Sequence, residues 1–407
     1  MALTHASLRV AAMPLHHAPA GADKPANLSR AALSRLFRFA DYPNTTIRGH
    51  GLEASVFLPD AQRGYYRSSR YDWGSMVGHI VLQVPNGGGN VTLCTSVRPR
   101  PHRPLGTDHG IGLAAEFGCG VRGALCYAAG KGAATNGVLG YGDAGKGGEF
   151  LKLGVGKLAR PLKPRADGFA YNFTWPYALS EPPSWELERL DDGSGVILTQ
   201  EVRHKRWGWK IRRKIYSCGR PEKKPTLCVD LTLTNTGEMS LRTPYTSGNA
   251  FNMLRGPATG PGFAVAFFVP DSKRYHDHAK AASPLSVPLS QIADLALTSG
   301  ARGMSRITVN KRLLENEVAS VNFDVTNTTP PWDGRFHMQL PAAPGWNVLV
   351  RHTMWRDAAA KRSGWFGFNL RISRRSVAPR PFLLFDLEPE QSVSVSHRYE
   401  FDWRPQL

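Results

Sequence analysis

The sequence predicts an all-β protein, a large antiparallel β-supersandwich with few short helices, and three observations carry that prediction. Short runs rich in Val, Phe, Tyr and Thr recur along the chain, turn residues separate them, and helical spacing is scarce. The 407 residues include 41 Gly and 30 Pro scattered between apolar runs, as many short elements joined by many turns require. Hydrophobic residues at 42% and charged residues at 20% allow a sizeable core and exclude a coiled coil, a collagen repeat or disorder throughout.

Residues 1–40 read as an N-terminal extension and a candidate organellar transit peptide, because Arg9, Arg30, Arg35 and Arg38 stand against Asp23 as the sole acid. The apolar stretch Val10 to Leu15 is short and broken by Pro14, which fits a secretory signal poorly. Asn-x-Ser/Thr triplets at Asn27, Asn44, Asn90, Asn172 and Asn327 leave secretion open. Residues 41–407 read as one sandwich domain. Its expected strands are Leu52 to Leu58, His79 to Val84, Val91 to Val97, Gly195 to Val202, Lys210 to Tyr216 and Leu227 to Thr234, followed by Phe263 to Val269, Val318 to Val325, Trp346 to Val350, Phe382 to Leu387 and Val393 to Phe401. After Asp230 the run to Thr234 alternates apolar and polar positions, which suits a strand with one face on a core, and Asn235-Thr236-Gly237 supplies its turn. Helical spacing is confined to Leu28 to Phe39 and Ser290 to Leu297. Gly118 to Gly156 holds 13 glycines and reads as a long loop carrying a site over a rigid scaffold.

Fifty-one Lys and Arg against 32 Asp and Glu give a net charge of +19, which favours anionic partners. The cations are spread along the chain without a nucleic-acid-binding motif, so a solvated basic surface is preferred over a nucleic-acid groove. Cys94, Cys119, Cys126, Cys218 and Cys228 are odd in number and lack paired CxxC spacing, which argues against a zinc site or a disulfide framework and for reduced, mostly buried thiols. No run approaches the roughly 18 apolar residues that cross a bilayer, and a soluble chain is expected. Gly140-x-Gly142 with Gly145 spells GxGxxG, but no strand-turn-helix unit frames it, no P-loop is present, and no G-x-S-x-G announces a nucleophile elbow. His276-Asp277-His278 lacks a third ligand and reads as a solvated loop rather than a metal site.

The segment Leu58-Pro59-Asp60-Ala61-Gln62-Arg63-Gly64-Tyr65-Tyr66-Arg67-Ser68-Ser69-Arg70-Tyr71-Asp72-Trp73 concentrates aromatic, cationic and acidic side chains just after a strand. Asp108-His109, Glu116-Phe117-Gly118, Gly148 to Gly156, Leu233 to Gly237, Tyr245 to Leu254 and Ala378-Pro379-Arg380-Pro381-Phe382 to Phe401 follow in order. Together they resemble the galactose mutarotase-like superfamily over about residues 45 to 402. The resemblance implies a β-supersandwich whose concave face holds a monosaccharide, a phosphosugar or a glycan end. The reaction class it implies is aldose 1-epimerisation, in which a carboxylate takes the anomeric proton and a histidine protonates the ring oxygen, with no metal or redox cofactor.

Two positions depart from the epimerase pattern. Asn249 stands where the acid histidine is expected, and an amide delivers no proton at neutral pH. Arg380, between Pro379 and Pro381, stands where a glutamate is expected, and a guanidinium is no base. His109 and Glu116 are then the acid and base candidates, with a structural role as the alternative for each. Arg67, Arg70, Asp72, Trp73, Asn249 and Arg380 are the substrate-binding candidates. Arg67 and Arg70 offer donor forks to vicinal hydroxyls or an anionic group, with pairing to Asp72 as the structural alternative. Trp73, Tyr65 and Tyr66 offer a platform for a sugar ring or a place in the core. His204, near Trp207 and Trp209, is held in reserve. A catalytically inactive carbohydrate-binding protein is the second reading, and a polysaccharide lyase acting on uronates the third.

Overall fold

The computed structural model describes residues 42–85, 89–93, 112–118, 138–163, 171–173, 175–219, 224–252, 259–268, 275–277, 287–296, 305–314, 317–328, 333–343, 346–356, 364–374 and 376–405. The N-terminal extension and its expected helix lie outside them, as do Cys94, Cys119, Cys126, His109 and His278. Among the described residues no helix is long and apolar enough to cross a membrane.

The chain is built from strands. The first nine are β1 (Asn44–Gly49), β2 (Leu52–Phe57), β3 (Val77–Gln83), β4 (Asn90–Leu93), β5 (Leu113–Phe117), β6 (Glu149–Lys152), β7 (Gly156–Ala159), β8 (Glu186–Arg189) and β9 (Gly195–His204). There follow β10 (Trp207–Ser217), β11 (Thr226–Asn235), β12 (Leu241–Asn249), β13 (Phe251–Asn252), β14 (Ala264–Phe268), β15 (Tyr275–Asp277), β16 (Ala293–Ala296) and β17 (Ser305–Val309). The last six are β18 (Val318–Thr328), β19 (Asp333–Ala343), β20 (Trp346–Arg356), β21 (Gly364–Ser373), β22 (Ser376–Leu387) and β23 (Ser392–Pro405).

Two large sheets result. The first runs β1-β2-β3-β5-β12-β22-β21-β18-β15, with β4 beside β3 and β13 beside β22. The second runs β16-β17-β14-β19-β20-β23-β11-β10-β9-β8, and β6-β7 forms a separate hairpin. Neighbours pair antiparallel through the middle of both sheets. Inward-facing side chains of the two sheets, Ile211, Leu231, Leu233 and Val395 from one and Phe117, Tyr245, Leu383 and Phe385 from the other, share one core. The alternation after Asp230 is realised: Leu231 and Leu233 are buried while Thr232 and Thr234 bond to Ser394 and Ser392 outside.

A second core lies apart from this one. Phe57 from the end of β2 and Tyr65, Tyr66, Tyr71 and Trp73 from the segment between β2 and β3 pack there with Tyr141, Phe150, Tyr171 and Tyr177. Tyr171 and Tyr177 stack at 5.2 Å, and Phe150 meets Tyr177 edge-on at 5.1 Å.

Three sequence expectations are corrected. The expected helix from Ser290 to Leu297 is not formed over its described part, which ends at Ala296: a 3-10 turn at Leu289–Gln291 leads straight into β16, whose pairing with β17 overrides local spacing. The end of the glycine-rich segment is not loop, since β6 and β7 bury Phe150, Leu151, Leu153 and Val155 completely. Cys218 and Cys228 are joined in a disulfide across the start of β11 rather than standing as free thiols.

Candidate functional site

The segment from Leu58 to Met76 is tied to β5 by its backbone. Asp72 N–H donates to the Ala115 carbonyl at 2.9 Å, and Ala115 N–H donates to Ser75 Oγ at 2.7 Å. Tyr66 hydroxyl accepts from the amides of Arg70 and Tyr71 at 3.0 and 3.2 Å, which fixes the turn presenting Arg70. The hairpin β6-β7 is tied to the same segment, because Trp73 N–H donates to the Gly154 carbonyl at 3.0 Å. These ties bring three distant stretches of chain to one place.

Arg70 and Glu116 meet there. Arg70 Nε donates to Glu116 Oε2 at 3.0 Å, with both side chains almost wholly buried. Tyr71 and Phe173 lie 4.7 and 4.8 Å from the guanidinium carbon, so its planar group is held between rings. Burial works against the Arg70 charge, and Glu116 with Tyr71 and Tyr66 together hold the pKa above the ordinary arginine value. The other carboxylate oxygen, Glu116 Oε1, is buried with no hydrogen-bond partner among the described residues.

Lys152, at the end of β6, is 1% exposed and donates from Nζ to the Tyr171 hydroxyl at 3.0 Å. Burial lowers its pKa to about 8; Glu116 pulls it up and Arg70 pulls it down. Burial holds Tyr171 well above its ordinary value, with Glu116 adding to the effect. Arg380 faces the same side of the first sheet as Glu116. Glu116 pairs with Thr246, Thr246 with Phe382, and Arg380 is two residues from Phe382 along β22. Burial lowers its pKa; Tyr71 and Glu116 oppose this, and Arg70 and Arg371 add to it. Its Nε is buried and has no hydrogen-bond partner among the described residues.

Not every candidate joins this cluster. Asp72 is fully buried beneath it, capping the 3-10 turn Trp73–Ser75 through Gly74 N–H at 2.9 Å and pairing with Arg213 at 2.6 Å. Burial pushes the Asp72 carboxyl up while Arg213 pulls it down. Trp73 is 1% exposed and donates Nε1–H to the Ser68 carbonyl at 2.8 Å, so it packs rather than presents a platform. Arg67 donates to the carbonyl of Gln62 in its own loop.

Asn249 projects the opposite way, into the space between the sheets. Its Oδ1 accepts from Tyr399 hydroxyl at 2.6 Å and Ser247 Oγ at 2.9 Å, and its Nδ2 donates to the Pro379 carbonyl at 3.0 Å. The neighbouring chain runs from Tyr245 hydroxyl to His397 Nε2 at 2.9 Å and from His397 Nδ1 to His352 Nε2 at 3.1 Å. His204 lies 3.6 Å from Glu149, and burial lowers its pKa. His276 and Asp277 fall on β15, the outer strand of the first sheet.

Lys152 was not singled out by sequence reasoning. A lysine in a short strand ordinarily faces water, and the signal that it does not is its place among Phe150, Leu151, Leu153 and Val155.

No family model matches this chain, and neither does any curated protein. Solved structures similar to it include the Slr1438 protein from Synechocystis sp. PCC 6803, at 11% identity and TM-score 0.43 over 89% of this chain and 96% of that one. A galactose mutarotase-like protein from Lactobacillus casei is similar at 12% identity and TM-score 0.41, over 88% of this chain and 100% of that one. The GalM/aldose epimerase homologue from C. elegans is similar at 11% identity and TM-score 0.40, over 88% and 98% of the two chains.

Proposed function

We propose that this chain is a carbohydrate-binding protein whose sugar sits against Arg70, Glu116 and Lys152 on the outer face of the first sheet. The observation that carries the reading is Glu116 Oε1, a buried carboxylate oxygen without a partner among the described residues, beside an arginine held between aromatic rings. A buried acceptor of this kind costs about 1–3 kcal/mol unless a ligand or water donates to it. A sugar supplies hydroxyl donors to the carboxylate and vicinal oxygens to the guanidinium fork. The ordered motifs of the sequence supply the sugar class.

Ligand-observed NMR with a panel of aldoses tests this. Binding is expected with the native chain and about a tenfold loss with Arg70→Lys, which keeps the charge but not the fork. Full binding by a folded Arg70→Lys variant would remove the site from this cluster.

Aldose 1-epimerisation is the second reading, and Lys152 favours it. An ammonium whose pKa lies near 8 can protonate a ring oxygen while the free oxygen of Glu116 takes the anomeric proton. The ring then opens to the aldehyde, rotates and recloses with both protons returned. Accelerated anomer exchange in the same spectra, lost in Lys152→Met, is its expected signature. Binding without acceleration leaves the first reading alone.

A further inference from the structure

We infer that the outer face of the second sheet, around Arg306, Arg351, Arg404 and Lys224, is a docking surface for an anionic lipid membrane. This surface belongs to the other sheet from Glu116 and does not depend on the sugar-binding reading.

Alternate side chains of a strand face the same way, and paired residues of adjacent strands stand about 4.8 Å apart in a row across the sheet. One such row runs from Arg306 on β17 through Ala266 on β14 and His337 on β19 to Arg351 on β20. Ile307, Phe336, Met338, Val350 and His352, the residues next to its polar members, are buried in the core, so the row itself points outward. Arg306 is exposed.

Beside the row, Asp402 on β23 gathers cations. Lys224 Nζ and Arg404 Nη2 approach its Oδ2 at 2.7 Å and Arg351 Nη1 at 3.3 Å, and the three cation side chains stay 35–48% exposed. One carboxylate set against three cations leaves an excess of positive charge. Glu400, the next carboxylate on this face of β23, is paired with Arg398 at 3.0 Å. The excess reaches the histidine of the row: burial lowers the pKa of His337, and Arg351 and Arg306 lower it further.

Crowded cations repel one another, and an anionic partner relieves that repulsion. Their layout selects the partner. They spread in two directions over several strands instead of lining a groove that would track a nucleic-acid strand. Trp355 lies on the same face of β20, four residues from Arg351, and is 40% exposed. An indole so placed suits the headgroup level of a bilayer. No series of exposed rings accompanies it on this face among the described residues, as base stacking along a strand would need.

Sedimentation of the full chain with vesicles tests the inference, using phosphatidylcholine alone and an equal mixture of phosphatidylcholine and phosphatidylserine. The mixed vesicles are expected to carry the chain down, the neutral ones to leave it in solution, and added salt to release it. Arg306→Gln with Arg404→Gln should weaken binding about tenfold or more, with native melting behaviour. Arg48→Gln with Arg206→Gln removes the same charge from exposed positions outside the patch and should change binding by no more than about threefold.

No binding to either vesicle, or equal binding to both, would overturn the inference. So would equal losses in the two double variants, which would mark a response to net charge alone. A single-stranded oligonucleotide that binds through Arg306 and Arg404 while vesicles do not would make nucleic acid the occupant and overturn the inference also.

Discussion

At the scale of single residues, burial has removed His397 from the titration range of histidine. It is 1% exposed between Tyr245 and His352, and burial, with Arg213 adding to it, lowers its pKa to about 3. The unfolded chain therefore binds a proton near pH 6.5 that the folded chain refuses until about pH 3. Its contribution is whole above about pH 6.5 and falls as the pH drops, by about 2 kcal/mol at pH 5. Urea unfolding between pH 7.5 and 4.5 should show this decline, and His397→Gln should make it shallower. An unchanged slope in the variant would mean that other groups set the acid limit.

Residues also show where sequence reasoning reached and where it stopped. Arg70 and Glu116 were legible as members of unusual local clusters, and the structure brings them together. The charge of both acting on Lys152 was not legible, because it depends on Tyr171 and on the tie between Trp73 and Gly154, all far apart in the chain. Asn249 shows another limit. On a strand one residue changes the face, so Asn249 enters the core while Gly248 takes the side of Glu116.

At the scale of elements, the hairpin β6-β7 is the part that local composition concealed. Its turn uses Gly154 at φ +71°, and a Cβ there would collide with the Asp72 carboxylate carbon. Gly154→Ala should therefore cost about 1–3 kcal/mol through a left-handed alanine and a crowded contact. It should also shift Lys152 relative to Glu116, so that ligand affinity falls at temperatures where the variant is still folded. Thermal melts paired with calorimetry check this, and a variant with native stability and affinity would show that the turn relaxes freely.

Most strands with period-two patterning were readable, including β9, β10, β11 and β23. β12 was not, although it lies at the centre of the first sheet: Leu-Arg-Thr-Pro-Tyr-Thr-Ser-Gly-Asn offers a proline, a glycine and small polar residues where a buried strand ordinarily has Val and Ile. Pairing with β5 and β22 supplies what its composition does not.

At the scale of the whole molecule, the two sheets are closed by strands late in the chain. β22 lies between β12 and β21, and β23 lies between β20 and β11. Deleting Ser392–Pro405 should leave no cooperative thermal transition, with exposed apolar surface detected by dye binding. A truncated chain that melts cooperatively at the native temperature would show that β20 and β11 can close the second sheet by themselves.

That strand order sets a schedule for the chain as it is made. Until Ser392–Pro405 has been synthesised, β20 and β11 keep unpaired edges where the finished sheet has its middle. Each ribosome therefore holds a nearly complete sandwich that cannot yet close, for as long as the last strands take to emerge at about 5–20 residues per second. During that interval the nascent chain is a substrate for holding chaperones and for its own neighbours on a polysome.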